Sequence, residues 1–455
     1  MSPVFVFDDR SVPRTGWNSE LGSRDDQSRR AVRRIFSGLM IRRAAPAYTI
    51  IPIRPSDGHR SRDAALKMNF VFLSPAFPPN YYRFCSALKK EGVTALGIGD
   101  SQFSELRPEL RDSLAWYYRV GDMRDPGQLR DALRFFTERF GKIDRIDSQN
   151  EYWLETEAGL RTEFGIPGVQ ADAVSWIRRK SLMKSVFSRM GIAHARGGIV
   201  GEPAGAHALA AELKFPVIVK PDDGMGAEFT YRLDSSGDVD RFFAGKPDRA
   251  FIMEEFIDGG IVTFDGLTDR DGEIVFYTSH VYGQRVMEAV LADMHISYYS
   301  LREIPRDLEE AGRKLVRGFA VKERFFHFEF FRRPDGTLCA LEVNIRPPGG
   351  MTMDMFNFAC DIDMYAVWAR LMAGGAARLE YERKYHCGYA GRKNRLNYAH
   401  SHEEIVARLG GMLVHHEGLP PVLARAMGDN GYLIRSSEAA EIEAAIDFIQ
   451  ALANY

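Results

Sequence analysis

Cysteine is scarce in this chain. The four among 455 residues are Cys85, Cys339, Cys360 and Cys387, and no two stand as Cys-x-x-Cys. That scatter argues against a disulfide framework or a zinc site and reads as reduced thiols of a cytoplasmic protein. Long apolar runs are missing too, none approaching the roughly 18 residues that a membrane-spanning helix takes. Excess charge of one sign is absent: Lys and Arg total 60 against 62 Asp and Glu, for a formal net charge of −2. Nothing in that balance calls for nucleic acid or an anionic membrane as a partner. No Ser-His-Asp or Cys-His pairing stands out for nucleophilic catalysis, and no internal repeat is visible. The turn after the first apolar strand, Ser74-Pro75-Ala76-Phe77-Pro78-Pro79-Asn80, lacks Gly-x-Gly-x-x-Gly, which argues against a dinucleotide site there. What remains is 45% hydrophobic and 27% charged, ordinary for a globular protein of two or three domains.

The first 67 residues read as a disordered extension, rich in Arg, Ser, Asp and Pro and weak in hydrophobic periodicity. A transit peptide is the second reading, opposed by Asp8, Asp9, Glu20, Asp25 and Asp26. A start at Met68 is the third. From 68 to 166 strands are expected at 69–73, 93–98, 116–120 and 143–147, with helices over 80–91, 126–140 and 151–164. Such alternation predicts a parallel, doubly wound sheet. A helix is expected from Ala173 to Met190, capped by Gly191. Its Ile177, Met183, Val186, Phe187 and Met190 line an apolar face, and Lys180 and Lys184 lie on another, by default as solvated surface lysines.

Three later stretches carry chemistry. Phe215-Pro216-Val217-Ile218-Val219-Lys220-Pro221 is a buried strand ending in a lysine, followed by Asp222-Asp223-Gly224-Met225-Gly226-Ala227. A lysine point charge beside glycines, whose backbone N–H groups can approach an anion, suits phosphate. Phe251 to Gly260 is a strand with a Gly-rich exit that could present backbone groups to a base edge. The third stretch is a hairpin around Pro334-Asp335-Gly336. Period two puts Glu329 on the face opposite Phe328 and Phe330, and Glu342 and Asn344 on one shared face, with Arg346 continuing the line. Three oxygen donors so placed suit Mg²⁺, and two close carboxylates repel unless a cation lies between them. Alone, the same face also reads as solvated charge.

Taken in order (helix lysine, strand lysine with Gly-rich loop, Met253-Glu254-Glu255-Phe256-Ile257, then Glu329 and Glu342-x-Asn344-x-Arg346), these motifs resemble the ATP-grasp superfamily, and look most like its carboxylate–amine ligase and carbamoyl-phosphate-synthase-like branch. The resemblance spans about residues 68 to 375. It implies an ATP-grasp fold, two α+β lobes clasping ATP, preceded by a Rossmann-like parallel α/β domain. The implied domains are 68–166, 167–375 and a C-terminal α+β region, 376–455. It further implies that Lys180 and Lys220 hold phosphates under a mobile loop containing Asp223, Gly224 and Gly226. Glu254, Glu255, Phe256 and Ile257 would frame adenine. Glu329, Glu342 and Asn344 would take Mg²⁺ or Mn²⁺, and Arg346, with Lys220, would stabilise the transferred phosphoryl group. The family often places an acid after the adenine strand for the ribose; here Ile261 and Val262 stand in that region, leaving Asp258 or Asp265 as substitutes. The implied reaction joins a small carboxylate to an amine through an acyl phosphate, forming ADP. Its rivals are ATP binding without turnover and a simple kinase. His280, Tyr282, Arg285 and Gly391-Arg392-Lys393-Asn394-Arg395 are candidates for touching substrate, and a homodimer is the default assembly.

Overall fold

The structure is a computed structural model, and it describes residues 68–224, 229–283, 294–375 and 378–453. The expected extension over 1–67, Gly226 of the glycine loop and the substrate candidate Arg285 lie outside the described residues.

Among the described residues the strands form three sheets. The first holds β1 (Asn69–Leu73), β2 (Thr94–Gly99), β3 (Trp116–Arg119) and β4 (Arg145–Asp147), all parallel in the order β3-β2-β1-β4. All five residues of β1 are buried, which is why Phe70 to Leu73 read as an apolar run after Asn69: a parallel sheet is covered on both faces. The helix expected over 126–140 is found at Pro126–Phe140, with the Asp125 carboxylate accepting from Gly127 N at 2.8 Å to satisfy its first turn.

The second sheet is antiparallel, β5 (Gly197–Val200), β8 (Phe251–Glu255), β6 (Val217–Pro221) and β7 (Tyr231–Leu233) in that order. The third has nine strands: β14 (Leu338–Asn344), β13 (Phe325–Arg332), β9 (Gly260–Thr268), β11 (His280–Tyr282), β12 (Ser297–Ser300), β15 (His386–Arg392), β17 (Asn430–Ser436) and β16 (Leu413–Gly418) in spatial order, with β10 (Ile274–Thr278) paired to β9. The C-terminal strands therefore extend the same sheet that holds the hairpin.

The parallel domain is joined to this sheet by a continuous core. Its Tyr82–Lys90 helix packs on the Met364–Met372 helix, and Phe84 meets Trp368 at 4.9 Å and Tyr365 at 4.8 Å between ring centroids. Each fully buried aromatic of this kind contributes about 1.5–3 kcal/mol. That packing fixes the loop after β4 against the end of the hairpin. The Met351, Met353 and Met355 side chains are buried in the same cluster, so this run is core.

The helix expected from Ala173 to Met190 is not continuous. A 3₁₀ turn, Val174–Ile177, is followed by a separate helix, Lys180–Arg189. Asp222 causes the break. Its carboxylate accepts from Ser181 N at 2.8 Å and Ser181 Oγ at 3.0 Å, and its carbonyl accepts from Lys180 N at 2.8 Å. The glycine-loop strand thus supplies the helix cap that the helix's own sequence lacks.

Candidate active site

The hairpin register decides which side chains meet. Glu329 pairs with Glu342 and His327 with Asn344 across β13 and β14, while Glu329 pairs with Thr263 and His327 with Asp265 across β13 and β9. Opposed residues share a face, so two polar rows cross the sheet: Glu342–Glu329–Thr263 and Asn344–His327–Asp265. A bulge between Glu329 and Phe330 leaves this pairing intact. The rows are wired together. His327 Nδ1 meets Asp265 Oδ1 at 2.5 Å, His327 Nε2 meets Glu329 Oε1 at 3.0 Å, and His280 Nδ1 meets Asp265 Oδ2 at 2.7 Å. Burial pushes the Asp265 carboxyl up, but His327 and His280 outweigh it and hold the group well below the usual range. Glu329 is thereby braced from behind by a buried imidazole.

Lysines converge on this face from the second sheet and the helix beside it. Lys180 Nζ lies 3.2 Å from Glu342 Oε1 and donates to Gly224 O at 3.2 Å. Lys184 and Lys220 clasp opposite oxygens of Glu254 at 2.8 and 2.9 Å. Lys180 and Lys220 are buried and Lys184 nearly so, at 11% side-chain exposure. The surface reading of Lys180 and Lys184 is therefore wrong: the neighbouring lobe covers them.

The third wall comes from the loop after β4. Glu151 Oε2 pairs with Arg346 Nε and Nη2 at 3.2 and 3.1 Å, with both side chains buried. Beneath it Arg324 reaches Asp147 at 3.2 Å and donates to Ile345 O at 3.2 Å, between Asn344 and Arg346.

Against this geometry, residues 213–354 match the family model of the ATP-grasp domain. The chain is 15% identical to a crystal structure of an L-amino acid ligase from Bacillus licheniformis, with a TM-score of 0.64 over 84% of this chain and 96% of that one. N5-carboxyaminoimidazole synthetase from Staphylococcus aureus is 12% identical, with a TM-score of 0.63 over 84% and 97%. This is an ATP-grasp fold. Among curated proteins, the L-arginine-specific L-amino acid ligase of Bacillus subtilis is 25% identical over 258 residues, 54% of this chain and 62% of that protein. The arginine-specific carbamoyl phosphate synthase large chain of the same species is 23% identical over 202 residues, 42% of this chain and 19% of that one. The chain thus spans less than two thirds of the curated relatives' lengths.

Within the ATP-grasp fold the expected adenine segment forms the end of β8 and its exit. Ile257 is buried with Ala195 and Cys339, and Phe331 packs on them. Glu255 N donates to Arg196 O at 2.9 Å and Phe256 N to Pro216 O at 3.4 Å, while the Glu255 carboxylate pairs with Arg196 at 3.0 Å. Those two backbone donors are used by the protein itself. Asp223 is held by Arg249 through its carboxylate at 3.1 Å and its carbonyl at 2.5 Å.

The residues expected to take Mg²⁺ carry a charge balance that suits a cation. Burial, with Glu151 and Glu329 nearby, pushes the Glu342 carboxyl up against the pull of Lys180. Lys180 is raised as well: burial opposes its charge, but Glu342 and Glu151 outweigh it. Glu151 acts in both shifts, so three carboxylates crowd a single buried lysine here, and a divalent cation would relieve that imbalance. Asn344 Oδ1 faces Arg346 Nη2 at 3.5 Å, while its Nδ2 is buried without a partner. Among the described residues no group of three or more His, Cys, Asp or Glu is placed to hold a metal ion; the set expected here is two carboxylates and an amide.

The Glu254 clasp has a measurable consequence. Burial alone would raise its carboxyl, but Lys220 and Lys184 bring it down to about 2. A carboxyl lower in the folded than in the unfolded chain (~4.3) stabilises fully above the unfolded value. That stabilisation is lost as pH falls from there through about 2. The unfolding temperature of Glu254→Gln is expected to depend less on pH than wild type across this acid window, and parallel curves would refute the assignment.

Several functional-looking residues escaped the sequence reading. Lys184 was taken for surface, and Glu151, Asp147 and His327 carried no motif signal. Asp265, weighed for the ribose, is committed to His280 and His327. Of the substrate candidates, His280 is buried on the polar face, and Tyr282 is buried with Glu329 and Arg346 both acting on its hydroxyl. Arg392 through Asn394 lie elsewhere, along a separate cavity of about 700 Å³ with His402 and His416.

Proposed function

We propose that this chain is an ADP-forming ligase that activates a carboxylate with Mg-ATP as an acyl phosphate and joins it to an amine. The carrying observation is the contact of Lys180 with Glu342 at 3.2 Å: a lysine beside the glycine loop meets the carboxylate face of the hairpin. The activities of the Bacillus ligase and synthase relatives support the same reading.

The work required of the protein is electrostatic. A carboxylate oxygen attacks the γ-phosphorus, the bond to the β-phosphate oxygen breaks, and ADP leaves. The amine nitrogen, having shed a proton, then attacks the carbonyl carbon and expels phosphate. Mg²⁺ bound by Glu329, Glu342 and Asn344 would supply neutralisation of phosphate charge. Lys180 and Lys220 bring cationic donors to the phosphates, and Arg346, oriented by Glu151, offers a planar fork to the anionic reacting group. His327 holds Glu329 in place. The loop over Asp223, Gly224 and Gly226 would close the site, because the mixed anhydride must be kept from water. Glu254 to Ile257 we assign to the adenine side, with the Ile257 backbone as its contact. Four buried free thiols favour the cytoplasm. A homodimer fits the description of one structural relative, a biotin carboxylase domain, as a dimer.

A phosphate-release screen over amino acids and small carboxylates tests the reading. Release that requires both an acid and an amine is expected. A phosphorylated product with no amine requirement would make the protein a kinase, and ATP binding with no turnover in any mixture would make it a binding protein.

A further inference from the structure

The loop after β4 holds a side chain that the mechanism above leaves unused. Gln149 is 1% exposed, and neither its Nε2 nor its Oε1 has a hydrogen-bond partner. Its backbone, by contrast, is fully engaged. Gln149 N donates to Asp147 Oδ1 at 2.8 Å, and its carbonyl accepts from Tyr81 Oη at 2.9 Å. It sits at φ +57°, a conformation that a non-glycine residue holds only where its surroundings impose it. The loop is thus braced at both backbone groups and strained, with only the side-chain amide unpaired.

Its position gives that amide a purpose. Two residues on, Glu151 grips Arg346, and the Arg346 charge is felt at the Tyr81 hydroxyl that bonds Gln149. Among the described residues, buried side-chain atoms without partners are scattered, Trp116 Nε1 and Trp368 Nε1 among them, but Gln149 is the one residue in that set with two atoms left over, a donor and an acceptor. Buried polar atoms are almost always paired, so an amide unpaired at both ends beside the Glu151–Arg346 pair calls for a polar ligand.

We propose that Gln149 is a specificity-determining residue. It selects a substrate that carries, beside the group met by Arg346, an uncharged group able both to donate and to accept, such as a carboxamide or hydroxyl. This rests on the ligase reading only in calling the ligand a substrate. The selection follows from asymmetry. An apolar analogue leaves both Gln149 atoms desolvated and unpaired, and sites built to hydrogen-bond a substrate reject analogues lacking the group by about 10⁴–10⁵-fold.

The test uses near-isosteric amino-acid pairs differing in polarity: asparagine with leucine, glutamine with methionine, threonine with valine. Binding is read by thermal shift of the full chain with Mg²⁺ and a non-hydrolysable ATP analogue, and turnover by phosphate release. Wild type is expected to favour the polar member of at least one pair by more than 100-fold. Gln149→Met, similar in size and free of the orphan amide, is expected to fold at least as stably and to shift that ratio at least 100-fold towards the apolar member. Gln149→Glu, which keeps the shape but cannot donate when ionised, is expected to weaken the polar member as well. Polar-selective binding without turnover would keep this proposal and sink the ligase reading. Turnover with the ratio unchanged in Gln149→Met would do the reverse and leave Gln149 a core residue over trapped water. No binding by any pair overturns the proposal.

Discussion

Glu342→Ala is expected to lose ATP turnover by more than about 100-fold while its far-ultraviolet circular dichroism stays that of wild type. Loss of a group that merely orients a metal ligand costs about 10–100-fold, and Glu342 is proposed as a ligand itself. The fold should tolerate the change because Lys180, which loses its partner at 3.2 Å, keeps its bond to Gly224 O and the nearby Glu151 charge. Burial and the nearby Glu151 and Glu329 carboxylates raise it against the attraction of Lys180, so removing it relieves crowding. The diagnostic reading is the Mg²⁺ concentration for half-maximal turnover, which should rise steeply in the variant and in Glu329→Ala. A variant with unchanged Mg²⁺ dependence and near-normal turnover would remove the metal assignment, and with it the reason for two carboxylates to face each other across β13 and β14.

The hairpin was legible because carboxylates interrupt runs of Phe, Leu and Val at period two, a pattern that packing alone does not call for. The parallel domain was legible for a related reason: β1 is apolar from Phe70 to Leu73, and the helix over 126–140 carries its own Asp-Pro start. The central strand β9 was not. Its sequence Gly-Ile-Val-Thr-Phe-Asp-Gly-Leu-Thr begins with the second glycine of the Gly259-Gly260 pair and reads as an exit from β8, yet all but its first residue are buried. Asp265 and Thr263 look like solvent-side residues; they are satisfied instead by imidazoles from β11 and β13, which no local pattern reveals. β15 hides likewise behind Gly388 and Gly391, where an added Cβ would meet Ile442 and the Met427 carbonyl. The lysines show the limit of helical periodicity. It separates Lys180 and Lys184 from the apolar stripe, but it cannot tell solvent from an opposing lobe.

The loop that carries Glu151 and Gln149 depends on charges buried still deeper, and Arg324→Met is expected to destabilise the protein by about 3–5 kcal/mol. Two arginines and two carboxylates are enclosed here. Arg324 lies 3.2 Å from Asp147 and 3.6 Å from Glu157, and Arg161 lies 2.9 Å from Glu157, none of the four side chains more than 9% exposed. The cluster is neutral as it stands, and removing Arg324 leaves an uncompensated negative charge where water cannot reach it. Burial and Asp147 already raise the Glu157 carboxyl against both arginines, so the variant should lift it further. A carboxyl raised on folding destabilises increasingly as pH climbs from the unfolded value through the folded one. The deficit, measured as the shift in unfolding temperature, should therefore be larger at neutral pH than near pH 4. Adding Asp147→Asn should recover much of the loss by restoring charge balance, and its amide oxygen can still accept from Gln149 N. If the single variant is as stable as wild type at neutral pH, the cluster is not a closed charge set. Activity separates the two roles of Arg324. Its bond to Ile345 O holds the backbone between Asn344 and Arg346, so the stability-rescued double variant should remain slow, with a lowered kcat.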